Sequence, residues 1–178
     1  MRHFSAISIV ALLIAICGMA SGQEKNPWSA LRIFEGRWHG STTGKPGKGS
    51  TDREFHFELN GKFLYQHDRS VYQPSDPAGK PVVHEDVGYF SYDADAKKLV
   101  WRQFHSEGYV NEYVMDSISP DGEILEFVTT RIENLPGFRA KKVYRTVSND
   151  QIEETFQLAA PGQDFEIYTQ TDLRRVSK

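Results

Sequence analysis

Asp52-Arg53-Glu54-Phe55-His56-Phe57-Glu58-Leu59-Asn60-Gly61-Lys62-Phe63-Leu64-Tyr65 decides the fold. From Asp52 to Leu59, polar and apolar residues alternate strictly, with Phe55, Phe57 and Leu59 on one face and Glu54, His56 and Glu58 on the other. A period of two is the signature of a strand, because successive side chains leave opposite faces of a sheet. Asn60-Gly61 then stands between two such runs, the strongest short hairpin signal, since both residues tolerate the positive φ that a tight turn needs. Lys62 to Tyr72 reads as the partner strand. The loop that follows, Gln73 to Pro81, is rich in Pro, Gly, Asp and Ser, the residues of turns.

Outward from this hairpin the pattern repeats. Strands are expected at 37–44, 82–92, 97–105, 108–117, 122–132, 137–147, 151–160 and 164–176, about ten with the first two. They are separated by breaks such as Pro120-Asp121-Gly122, Leu135-Pro136-Gly137, Asn149-Asp150 and Pro161-Gly162. Short strands at regular spacing with short connections imply an all-β, antiparallel, up-and-down barrel, whose closure removes its edges. Before the first strand, Asn26-Pro27 opens a short helix carrying Trp28, Leu31 and Phe34, stopped by Gly36 and read as a plug or lid. Trp38, just past that stop, is expected to pack across the closed end.

Residues 1–22 read as a secretory signal peptide: Arg2 and His3, an apolar run from Ile7 to Ile16, then small residues Gly18 to Gly22. The run is shorter than the roughly 20 residues of a membrane span. A periplasmic or secreted location follows, with residues 23–178 as one barrel domain and no stable membrane span after cleavage. Cys17 is the only cysteine and leaves with the leader, which excludes disulfides, thiolate metal sites and a cysteine nucleophile from the mature chain. The chain has 21 Lys+Arg against 24 Asp+Glu, and loss of Arg2 leaves a mature net charge of about −4. No basic face speaks for nucleic acid. The short basic patches Lys45–Lys48 and Arg139–Lys142 read as solvated faces.

The motifs resemble those of the nitrobindin-like barrels, relatives of the fatty-acid-binding proteins. Leu31-x-x-Phe34-Glu35-Gly36-Arg37-Trp38-x-Gly40 is similar to that family's Phe-x-x-Gly-x-Trp-x-Gly opening. Gly61-Lys62 with Tyr65 and Arg69, and Gly79-Lys80-Pro81 running to His84-Glu85 and Gly88-Tyr89, resemble two further stretches. The resemblance implies a calycin-type barrel. It also implies haem held by a histidine about five residues before a Leu of the last strand, with nitric-oxide and peroxynitrite chemistry. The matching position here, before Leu173, holds Tyr168, and no histidine follows His105. Tyrosine ligates haem iron in catalase, so Tyr168 is the candidate axial ligand if haem binds.

Candidate ligand contacts follow from the apolar faces. Phe63, Tyr65, His67, Arg69 and Val71 share one face of the hairpin's second strand and are expected to point inward, with Arg69 paired to an acid or a ligand carboxylate. His84 and His105 stand on half-apolar faces, and Tyr113 and Tyr144 could line a cavity with polar tips. His67, His84 and His105 together would suit zinc or non-haem iron. Their spacing matches no recognised metal motif, so no metal ligand is assigned. No nucleophile elbow and no defined carboxylate pair is present, so no catalytic residue is assigned either. The expected function is binding of a small apolar or amphipathic molecule inside the barrel, as carrier or sensor, by a monomer or homodimer. The alternatives are a haem protein of nitrobindin type and a non-haem enzyme using an interior histidine as acid or base.

Overall fold

A computed structural model describes residues 26–74, 76 and 78–177. The leader expected over residues 1–22 lies outside them. The described chain is a closed barrel of ten antiparallel strands, each paired with its sequence neighbours, with the first and last joined to complete the ring. The strands are β1 (Gly36–Gly44), β2 (Gly47–Glu58), β3 (Phe63–Tyr72), β4 (Val82–Asp93), β5 (Lys98–His105), β6 (Val110–Ile118), β7 (Ile124–Glu133), β8 (Arg139–Ser148), β9 (Gln151–Ala159) and β10 (Glu166–Ser177). Among the described residues, no helix is long and apolar enough to cross a membrane.

Up-and-down connectivity sorts the turns into two ends. The helix expected after Asn26-Pro27 is a 3₁₀ turn over Ser29–Phe34, entered through a Trp28 N–H that donates to Asn26 Oδ1 at 3.0 Å. Leu31 and Phe34 are buried, and Phe34 lies against Phe55 and Tyr144, with ring centroids 5.3 and 4.9 Å away. Trp38 Nε1 donates to Phe34 O at 2.7 Å, tying the turn to β1. Arg175 of β10 covers the Trp38 ring at 4.1 Å and donates to the Ile33 and Glu35 carbonyls at the helix's C-terminal end. This end is closed.

Behind the plug the barrel is filled by aromatic rings. Leu64, Phe90, Trp101 and Tyr113 are register partners across β3 to β6 and form one layer. Trp101 is stacked between Phe90 and Tyr113, 4.6 and 4.8 Å from each, with Phe127 set edge-on. Gly88 makes room for this packing: a Cβ there would stand 2.6 Å from Trp101 Nε1. Rings therefore fill only the helix end. Toward the other end, the inward positions turn polar.

Candidate functional site

The hairpin register decides what that second half contains. Phe55, Phe57 and Arg53 of β2 face inward. Their partners across the Asn60-Gly61 turn are Gln66, Leu64 and Asp68, so the inward face of β3 is Leu64, Gln66, Asp68, Ser70 and Tyr72. The expectation for β3 is thereby reversed. Tyr65 packs on the outside against His56 and Tyr89, His67 bonds Glu85 at 2.7 Å on the surface, and Arg69 is exposed. The larger apolar bulk of the Phe63–Val71 face covers the barrel's exterior instead. Tyr113 and Tyr144 do point inward but are sealed in the packed floor, their hydroxyls accepting from Asn111 Nδ2 at 3.0 Å and Arg53 Nη1 at 3.4 Å. His84, His105 and Tyr168 line the open cavity. Tyr168 sits at a bulge in β10, between Ile167 and Thr169, which turns it and Thr169 toward the interior together.

The cavity has a volume of about 360 Å³ and opens at the end opposite the helix. One wall, from β7 to β9 and the β7–β8 turn, is apolar: Ile132, Leu135, Phe156 and Leu158. The floor and the opposite wall are charged. Arg53, Asp68, Asp86 and His105 are successive register partners across β2, β3, β4 and β5, so one belt of ionisable groups crosses four strands at a single level.

The belt's first half is a buried ion cluster. Arg53 bonds Asp68 Oδ2 through Nη2 and Glu154 Oε2 through Nη1 at 2.6 Å, and Lys142 Nζ lies 3.7 Å from Glu154 Oε1. All four side chains are at least nine-tenths buried. Lys142, expected on a solvated face, points inward over the Trp101 ring at 5.0 Å. Burial works against the charge on Glu154, yet Arg53 and Lys142 outweigh it and hold the carboxyl down to about 2. For Asp68 burial prevails over Arg53, and its pKa is raised. The two cations and two acids balance.

The second half gathers two histidines and two acids. His84 and Asp86 stand two residues apart on the inward face of β4, and His105 ends β5. Glu107 is in the turn closed by Gly108, whose φ of +90° favours glycine and whose N–H donates to the His105 carbonyl. His84 Nδ1 bonds Glu107 Oε1 at 2.6 Å. Asp86 Oδ2 accepts from Gln103 Nε2 at 3.0 Å. Burial opposes a charge on His84, but Asp86 and Glu107 lift its pKa to about 9. For Asp86 burial is likewise overcome by the two imidazoles, which hold its carboxyl well below the carboxylate range.

Sequence reading missed Arg53, Asp68, Asp86, Glu107, Lys142 and Glu154. The signal for two of them was present in the register: with Phe55 inward, Arg53 two residues away is inward too, and an Asn60-Gly61 hairpin pairs Arg53 with Asp68.

No protein-family model matches the chain, and no curated protein does. Among solved structures, the chain is similar to the crystal structure of Rv2717c from M. tuberculosis, 21% identical over 84% of this chain and 96% of that one, with a TM-score of 0.66. That likeness supports the barrel fold. Weaker likenesses reach EF1p2_mFAP2b bound to DFHBI (14% identity, 84% and 99% of the two chains, TM-score 0.36). They also reach a protein of unknown function from the DUF3598 family of Nostoc punctiforme (8%, 85% and 100%, TM-score 0.31). Neither is close enough in shape to bear on the site.

Proposed function

We propose that this barrel is a secreted or periplasmic carrier or sensor that holds one small amphipathic molecule in the cavity at its open end. The observation that carries the reading is the cavity's division into an apolar wall (Ile132, Leu135, Phe156, Leu158) and a charged floor (Arg53, Lys142, Asp68, Glu154). Its volume lies at the lower end of small-molecule pockets, and a mostly apolar lining with a few placed polar groups is their usual chemistry. A molecule with a hydrocarbon body and a polar head would lay the first on the wall and present the second to the floor. The interior is thus more polar than an all-apolar cargo would need.

Native mass spectrometry of protein from its own host should reveal a co-purifying molecule. In vitro, 1-anilinonaphthalene-8-sulfonate should bind with one site per chain, and Leu158→Arg should abolish that binding while leaving the circular dichroism unchanged. Binding that ignores Leu158→Arg would move the ligand outside the barrel and sink the reading. Export is tested by the same preparation: the mature mass should lack residues 1–20 or 1–22.

The nitrobindin resemblance implies haem, and the residues present do not fit it. A porphyrin needs an apolar slot with an axial donor, whereas this cavity is lined by four carboxyl groups, Asp68, Asp86, Glu107 and Glu154. Tyr168 replaces the expected histidine and packs edge-on against Phe156 at 5.7 Å. Both ring nitrogens of His105 are buried, and Nδ1 faces the Asp86 carboxylate at 2.6 Å rather than an apolar slot. Haemin titrated into the protein should give no sharpened Soret band, and a saturating one would refute the misfit.

A non-haem enzyme is the second reading, favoured by the His84 and His105 rings lying 5.6 Å apart inside the cavity with Asp86 between their nitrogens. It calls for an activity lost in His105→Ala, and an activity that survives that change would remove it.

A further inference from the structure

His84-Glu85-Asp86 on β4 and His105-Ser106-Glu107 at the end of β5 are two His-x-acid units on adjacent antiparallel strands. In the first, the strand's period of two sends His84 and Asp86 to the same face; in the second, His105 is the last residue of β5 and Glu107 lies in the turn that follows. Asp86 and His105 are direct register partners. One donor atom from each of His84, Asp86, His105 and Glu107 can be chosen so that all lie within 4.8 Å of one another.

The central atom is Asp86 Oδ1. It lies 2.6 Å from His105 Nδ1 and 3.3 Å from His84 Nε2. Neither ring is aligned to donate to it: Asp86 Oδ1 and both nitrogens of His105 are buried without a hydrogen-bond partner. The side chains of Asp86 and His105 are 4% and 6% exposed, so solvent does not satisfy them. Orphaned buried polar atoms carry a cost of about 1–3 kcal/mol each. Asp86 Oδ1 and His105 Nδ1 face each other without a hydrogen-bond partner, beside His84 Nε2, and a cation among the three atoms would satisfy them.

The surrounding groups fit the same purpose. Glu107 Oε1 stands 2.6 Å from His84 Nδ1, and a proton donated there leaves Nε2 as the ring atom a cation would take. Gln103 Nε2 fixes the other oxygen of Asp86. Metal-bound histidines and carboxylates are ordinarily held by such outer hydrogen bonds.

We propose that His84 Nε2, His105 Nδ1 and Asp86 Oδ1 form a two-histidine, one-carboxylate site for a divalent first-row transition-metal ion, with Glu107 as the positioning residue for His84. Imidazole and carboxylate donors in this number suit iron(II) or zinc. The three come from one side, the barrel wall, and the remaining coordination positions face the cavity. His67, which sequence alone grouped with these histidines, is outside the barrel, and Asp86 takes the third place. The site uses none of the apolar wall, so it stands whether or not an organic molecule binds there.

The test uses the untagged mature chain, stripped with EDTA and titrated with Zn²⁺ and Co²⁺ by calorimetry and visible absorption. One ion per chain is expected, with cobalt d–d bands. His105→Ala and Asp86→Asn should abolish saturable uptake, and Glu107→Gln should weaken it roughly 10–100-fold. His39→Ala and His67→Ala remove surface histidines that also sit beside acids, Asp52 and Glu85, and should change nothing. Uptake that persists in the Asp86 and His105 variants, or that never saturates, overturns the site. If those variants fail to fold by circular dichroism, the wild-type protein decides. Substoichiometric Mn²⁺ should broaden the ring proton signals of His84 and His105 first, and broadening of His39 or His67 first would refute the assignment.

Discussion

Arg53 is the residue on which the polar half of the barrel turns. It is 2% exposed and shared between two carboxylates on opposite sides, Asp68 next door on β3 and Glu154 across the interior on β9. Burial alone would lower the pKa of the guanidinium, but Asp68 and Glu154 outweigh it. Arg53→Met should destabilise the protein by about 3–5 kcal/mol in urea denaturation, because it strands two buried acids. Arg53→Lys should recover little of this, lacking the planar fork that reaches both. The acids should titrate in opposite senses. Glu154 sits at about 2 in the fold against an ordinary 4.5, so its stabilising contribution is complete above 4.5 and is lost as pH falls toward 2. Asp68 is raised, so the folded state takes up its proton early, and acidification relieves the strain of that charge. Carboxyl ¹³C shifts should record Asp68 protonating before Glu154, and the reverse order would contradict the ion cluster.

At the scale of elements, strand number, turn positions and the N-terminal plug were all readable from periodicity and turn chemistry, and the ten strands fall within a few residues of their expected bounds. What failed was the parity of β3. Apolar bulk was the wrong guide, because Phe63, Tyr65 and Val71 cover an outer wall where Tyr65 packs on Tyr89. Pairing was the right guide: once Phe55 and Phe57 face inward, directly opposed residues must share their face, so Leu64 and Gln66 follow. The partners of β9 were beyond such reasoning. Arg53 and Glu154 meet across the lumen, a distance that no strand register reports. Gly88 shows the same element-level coupling. A methyl group there would meet Trp101 Nε1 at 2.6 Å and the Arg102 carbonyl oxygen at 2.9 Å, and Trp101 has no freedom between its stacked neighbours. Gly88→Ala should cost about 1–3 kcal/mol, read as a lowered Tm.

Over the whole molecule, the two ends of the barrel do different work. The helix end is mechanically closed by rings, Trp38 and the Arg175 clamp, while the other end keeps an open mouth above a belt of charge. Long-range order rests on a single seam. Each of the other nine strand pairings joins strands consecutive in the chain, whereas β1 and β10 must find each other across nearly its full described length. At that seam Thr171 donates to Thr42 at 3.0 Å, across 129 residues of sequence. Contacts of such separation are slow to form, because the loop-closing entropy comes before any reward. Ring closure is therefore expected to limit the folding rate. Amide deuterium exchange should find the β1 and β10 protons unlatching ahead of those between β3 and β4, and equal protection across both pairs would mean the ring opens as a unit.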